Sequence, residues 1–211
     1  MKILIIILVL LAAWSLWGYL AGRVEQAVYA VVREGEDYEI RRYESRIEAQ
    51  VTVEGPYERA LNEGFRIIAN YIFGGNTQSA PIAMTAPVTA RTGGESIAMT
   101  APVFAKGGGA ARSQVIAFVM PGSYTLADLP RPVDSRVRLV EVPAEYVAVR
   151  EFSWYWSTAR IESAQKNLLA ALMRDGIAIA GMPAYAGYNP PFTPPWLLRN
   201  EVLVPIEFVD E

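Results

Sequence analysis

The sequence predicts an antiparallel α+β domain in which two similar halves form one curved sheet carrying two helices, preceded by an N-terminal transmembrane helix. Three observations carry that expectation. An order of strand, strand, helix and strands occurs twice, the heptapeptide Ile-Ala-Met-Thr-Ala-Pro-Val stands unchanged at Ile82–Val88 and Ile97–Val103, and the run from Ile3 to Leu20 is uncharged and apolar. Both heptapeptides place Ile, Met, Ala and Val at period two, and Gly93-Gly94 lies between them, which predicts a β-hairpin. The two apolar sets share a face if Val88 pairs with Ile97. Met84 then faces Ala101, Ala86 faces Met99, and the two methionines become diagonal neighbours.

The elements follow in order. Residues 3–20 rise about 27 Å as a helix, close to the roughly 30 Å hydrocarbon core, with Lys2 before them and Arg23 after. Trp14, Trp17 and Tyr19 suit an interfacial belt. An uncleaved single-pass anchor over 1–22 is favoured over a signal peptide cut near Ala30, because a small-residue site alone is a weak cue. Either reading puts the domain on the outer, periplasmic side of the membrane. Residues 23–35 read as a linker, with Glu34, Glu36 and Asp37 as a solvated acidic cluster. From residue 36 to residue 211 the length suits one domain. Asp37–Tyr43 and Arg46–Glu54 alternate as strands, and Tyr57–Phe73 changes to helical spacing, with Leu61, Gly64, Phe65, Ile68 and Ile72 on one stripe. Gly74-Gly75-Asn76 ends that helix. After the repeat come a strand at Val115–Met120, strands at Arg136–Val142 and Tyr146–Phe152, and a helix at Ser157–Arg174 closed by Gly176. Met182–Tyr188 and Glu201–Phe208 complete the pattern. Helices this short must lay their apolar stripes on the sheet, and a pseudo-symmetric pair leaves a helix–sheet cleft as a small-molecule site.

Two absences narrow the chemistry. With no histidine and no cysteine, the chain has no Ser-His-Asp or Cys-His catalysis, no zinc site of the usual kind, no covalent c-type haem and no iron–sulfur cluster. A net charge of −3 with scattered Lys and Arg gives no footprint for nucleic acid. No spacing of carboxylates, Tyr, Lys or Ser nominates a catalytic pair, so a binding protein is expected rather than an enzyme.

Tyr38-Glu-Ile-Arg-Arg-Tyr43, Met-Thr-Ala-Pro-Val in both copies, Phe118-Val-Met-Pro121, Leu129-Pro-Arg-Pro132, Ala186-Gly-Tyr-Asn189 and Arg199-Asn-Glu-Val202 together resemble the SOUL haem-binding proteins. The resemblance implies an effector-binding-domain-like fold: duplicated β-β-α-β-β halves, a distorted barrel of about eight strands and two helices. It also implies a tetrapyrrole ligand. Where family members carry an axial histidine in Tyr-Glu-Ile-Arg-His-Tyr, this chain has Arg42, which offers iron no lone pair. The resemblance also implies a second mode, in which other members hold haem in an apolar groove beside the first helix without a strong axial bond, and this chain is expected to hold haem or a similar flat apolar ligand non-covalently in that way, without histidine ligation.

The candidate ligand set is therefore Arg42, Phe65, Ile68, Met84 and Met99. Thioether sulfur can ligate haem iron, although Met84 and Met99 read first as packing residues under a helix, as do Met120 and Met182. Arg42, Arg59 and Arg66 suit porphyrin propionates, with a plain solvated role as the alternative. Thr85 and Thr100 face away from the methionines and read as strand residues, and Trp154-Tyr155-Trp156 reads as packing, with a cleft cover or a lipid contact as alternatives. The competing functional reading is an envelope interaction or scaffold module whose groove takes a protein, peptide or lipid.

Overall fold

The computed structural model describes residues 1–21, 24–92, 113–190 and 192–208. Helix α1 (Lys2–Ala21) is long and apolar enough to cross a membrane, with a mean hydropathy of 2.5. The rest runs β1 (Tyr29–Glu34), β2 (Glu39–Tyr43), β3 (Arg46–Glu54), α2 (Tyr57–Ile72), β4 (Val88–Thr92), β5 (Ser113–Val119), β6 (Arg138–Val142) and β7 (Glu145–Phe152). It ends with α3 (Thr158–Arg174), β8 (Ala178–Ile179), β9 (Ala184–Gly187), a 3-10 turn (Pro195–Leu197) and β10 (Asn200–Glu207). The expected α+β class holds, and the periodic segments lie within a few residues of where the sequence placed them.

One antiparallel sheet takes the order β1-β2-β7-β10-β9-β4-β5-β3-β6, with β8 beside β10. Exchanging β2 with β6, β3 with β7, β4 with β9 and β5 with β10 reverses the order from β2 to β6 onto itself. The duplication in the sequence is thus a pseudo-twofold axis between β4 and β9. A single register joins the two ends: Glu39↔Val149 to Tyr43↔Glu145 continues as Arg46↔Val142 to Gln50↔Arg138. Two long strands, bent at Glu44-Ser45 and Pro143-Ala144, therefore curl the sheet into a partial barrel.

Each helix covers its own half. α2 lies on β3 and β5 over a core that includes Val51, Ile68, Ile72, Ile116 and Phe118, and α3 lies on β7 and β10 over Ile40, Ala148, Leu168, Leu172 and Val204. Ser157 caps α3 by accepting from the Arg160 N–H at 3.3 Å, and Gly176 at φ +69° ends it. Gly64 sets how closely α2 approaches the sheet. A Cβ there would stand 2.7 Å from Ile116 Cβ, so Gly64→Ala forces the helix away from β5. Helix propensity returns about 1 kcal/mol, whereas overpacking costs about 1–3 kcal/mol. The urea midpoint of Gly64→Ala is expected to fall, and Gly64→Ala/Ile116→Ala to be destabilised by less than the sum of the single changes.

Two expectations are corrected. Residues 29–34, read as linker, form β1, pairing Tyr29↔Tyr43 through Glu34↔Glu39. The preceding segment belongs to the fold as well, since the Ala86 N–H donates to Glu25 O at 2.9 Å and the Glu44 N–H to Val28 O at 3.0 Å. The repeat hairpin also fails in its first copy. Val88 already pairs with Phe118 on one edge and Gly187 on the other, leaving no edge for Ile97. Ile82–Pro87 holds no extended ladder, and Ile82, Thr85 and Ala86 turn inward while Met84 is 38 % exposed. Spacing of three and four has replaced the period of two. The second copy, with Met99, lies outside the described residues.

Candidate functional site

The segment after α2 is folded back by Asn76, which is 3 % exposed. Its Nδ2 donates to Tyr71 O and Ala80 O, and its Oδ1 accepts from the Gln78 and Ala80 N–H groups. The Ile82 N–H then donates to Ile72 O at 2.8 Å, and the Thr85 hydroxyl donates to Val119 O. Thr85 is thus a buried clamp rather than an outward strand residue. Met84, between those two anchors in sequence, is 38 % exposed, so it is not the core filler that apolar patterning suggested.

Phe65 reaches β5 from α2. Its ring lies 5.3 Å from that of the fully buried Phe118, yet Phe65 itself is 41 % exposed, so α2 keeps an apolar strip in reach of solvent. Leu61, Tyr57 and Val88 pack at the margin of the same core. Arg59 and Arg66 are exposed on α2 and make no ion pair with any described residue. The strip can therefore hold a flat apolar molecule by its face and offer guanidinium groups to its carboxylates.

Two of the predicted residues, Ile68 and Arg42, are not brought there. Ile68 is 0 % exposed and serves only the core. Arg42 lies on β2, paired with Ala30 and Tyr146 in the half covered by α3, and its Nη1 holds Glu44 Oε1 at 2.8 Å. The cleft expected between helix and sheet is filled by the two cores. Two concavities among the described residues, of about 370 and 420 Å³, lie elsewhere and are polar: one between β3 and β6 at Gln50, Thr52, Arg136 and Arg138, the other along Glu34–Glu39 and Arg150.

Sequence reasoning missed two features. At the centre of the helix-bearing face, Tyr57, Trp156, Tyr185 and Phe152 form a chain of rings with centroids 6.1–6.4 Å apart, joining the start of α2 to the start of α3. Tyr185 donates its hydroxyl to Asn200 Oδ1 at 2.7 Å, whereas the Tyr57 hydroxyl is buried without a partner among the described residues, and burial pushes both phenols up. The opposite face of the sheet buries a charge network. Arg41 donates through Nη1 and Nη2 to Glu201 Oε2 and Oε1, both at 2.9 Å, and Arg199 donates to Oε1 through Nε and Nη2 at 2.8 and 2.6 Å. The Tyr188 hydroxyl donates to Oε2, and burial followed by the Glu201 charge pushes its pKa up. Burial opposes the charge on Arg41, but Glu201 more than offsets it and keeps the guanidinium protonated. Tyr29 of β1 closes the network, with Arg41 Cζ 4.4 Å from its ring centroid.

A duplicated α+β half-barrel with two helices on one face is the architecture of a class seen in solved structures. The crystal structure of the EcmrR C-terminal domain aligns over 86 % of this chain and 99 % of that one at TM-score 0.57 and 10 % identity, and an uncharacterized conserved protein from Listeria innocua aligns over 81 % and 92 % at TM-score 0.54 and 11 % identity. At those identities the likeness concerns the fold alone. The family is set by sequence: the profile of the SOUL heme-binding protein family matches residues 24–205, and the chain belongs to that family. Among its relatives, Heme-binding protein 2 of Homo sapiens is 30 % identical over 157 residues, spanning 73 % of this chain and 71 % of that protein. Heme-binding protein 1 of Xenopus laevis is 27 % identical over 188 residues, spanning 87 % and 93 %.

Proposed function

We propose that this protein is a membrane-tethered, non-catalytic binding protein for haem, another tetrapyrrole or a similarly flat apolar ligand, held against the exposed strip of α2. The carrying observation is that Phe65, 41 % exposed over Phe118 of β5, shares α2 with Arg59 and Arg66, which make no ion pair with any described residue, while the Thr85 hydroxyl ties the segment that carries the exposed Met84 to Val119 of β5. These residues fit a tetrapyrrole held by its face and its carboxylates. They do not fit histidine ligation, since the chain has no histidine and Arg42 is engaged by Glu44. Haem, when bound, supplies an absorbing, redox-active iron, and the chain supplies an apolar surface, two cations and, in Met84, an accessible thioether.

Tethering by α1, with the domain on the outer, periplasmic side, accords with the place of β1. Cleavage near Ala30 would cut inside a strand and remove Tyr29 from above Arg41. The test is a titration of the full-length protein in detergent with hemin and with metal-free protoporphyrin. Because no protein–iron bond dominates, the two are expected to bind within about tenfold of each other, a difference below about 1.4 kcal/mol. No saturable Soret shift, together with no competition between porphyrins, would sink the reading.

The filled helix–sheet interfaces favour one other reading, a scaffold module that binds a protein or lipid and never haem. A colourless protein from haem-replete cells, carrying a stoichiometric protein partner, would establish it.

A further inference from the structure

Between Asp175 and Arg199 the sequence carries no charged residue, and its last part, reaching the 3-10 turn, is unusually apolar for a surface loop. Phe192 is 73 % exposed, Trp196 46 % and Leu197 36 %. The turn is fastened to the Ser153–Trp156 segment, because the Trp154 N–H donates to Pro195 O at 3.1 Å and Asn200 Nδ2 donates to Trp154 O at 2.9 Å. Trp154 and Tyr155, in the segment fastened to the turn, are 48 % and 52 % exposed. Single exposed aromatics need no explanation, but a contiguous patch of this kind marks an interaction surface.

Contact with α1 identifies the partner. The Trp14 indole Nε1 donates to Phe192 O at 2.9 Å, and its ring meets Trp196 edge-on at 5.5 Å. Gly18 leaves room for Pro194, whose Cδ would stand 2.5 Å from a Cβ at that position. The turn therefore touches the helix at Trp14 and Gly18, short of its end at Ala21. From Trp14 to Ala21 a helix rises about 10 Å, so the turn reaches about that far along α1 toward the lipid. In a spanning α1 that stretch runs from the headgroup boundary, where Trp and Tyr are enriched, into the acyl layer of the leaflet nearest the domain.

We propose that the Phe192–Leu197 turn, with Trp154 and Tyr155, inserts into the interfacial layer of the bilayer beside α1 and fixes the domain's tilt on the membrane. This rests on the reading of α1 as a tether, and the experiment separates the two. The chain has no cysteine, so single labels need no background removal. Phe192→Cys, Leu10→Cys near the middle of the 3–20 span and Met173→Cys at the far end of α3 each take an environment-sensitive fluorophore in the full chain. The proteins are reconstituted in phosphatidylcholine–phosphatidylglycerol vesicles holding lipids with a nitroxide near the headgroup or deep in the acyl chain. The label at Phe192→Cys is expected to shift to the blue and be quenched by the nitroxide lipids, that at Leu10→Cys chiefly by the deep one, and that at Met173→Cys by neither. If Leu10→Cys is quenched while Phe192→Cys behaves as Met173→Cys, insertion of the turn is overturned and the tether stands. If Leu10→Cys is not quenched by the deep nitroxide, the tether itself fails and the proposal falls with it.

Discussion

Glu201→Ala is expected to destabilise the protein by about 3–5 kcal/mol, more than any surface change in the chain. Glu201 is 0 % exposed and is shared by two guanidinium groups and a phenol. Its loss leaves Arg41, 2 % exposed, with Glu39, the Tyr43 hydroxyl and the Tyr29 ring, and leaves Arg199 with Glu151. The cost is that of two largely buried guanidinium groups left short of countercharge, not the worth of the intact cluster. Replacing a whole buried ion cluster with well-packed apolar residues is often neutral or stabilising. Arg41→Met/Glu201→Leu/Arg199→Met is accordingly expected to recover much of what Glu201→Ala loses. Denaturant unfolding of the three proteins, compared by midpoint, checks both statements. A triple variant as unstable as Glu201→Ala would show that the network contributes net stability of its own.

Shortening the chain to begin at Glu36 is expected to cost at least about 3 kcal/mol, whereas a chain beginning at Val24 should keep its midpoint nearly unchanged. The first removes β1, uncovers Tyr43, Val147 and Val149, and deprives Arg41 and Arg199 of Tyr29. The buried part of one aromatic side chain and a shielded cation–π contact together account for about 2–3 kcal/mol. Exposure of the buried ion network adds to that. The second removes only α1, whose residues are almost wholly outside the core. Equal midpoints for the two shortened chains would return residues 24–35 to the status of a linker.

What the sequence revealed and what it hid divide along physical lines. Helices α2 and α3 and strands β2, β3, β5, β6, β7, β9 and β10 were legible because each packs one face on a core and so carries a period. Strand β1 was not, since its outer residues are exposed at an edge and its apolar Val31 and Val32 mark no buried face. The hairpin was misread because local alternation says nothing of which distant strands already occupy both edges of β4. In β2, alternation showed Ile40 opposite Arg41, but a strand looks the same whether its polar face meets water or, as here, a second covering layer with Glu201 beneath it. Of the candidate site, Phe65 was legible from helical spacing. The exposure of Met84 was not, because it depends on hydrogen bonds from Ile82 and Thr85 to groups on other elements.

Side-by-side hemin titration of the full-length protein and its Phe65→Asp variant tests the central claim most directly. Removing a large aromatic contact and placing a carboxylate on the strip should weaken binding by at least about tenfold, from the roughly 1.5–3 kcal/mol that burial of a phenylalanine supplies. Phe65 is half-exposed, so the fold should survive the change. A saturable Soret shift in the wild type that weakens in Phe65→Asp is the predicted result. Equal binding by the two proteins would contradict a ligand site on α2.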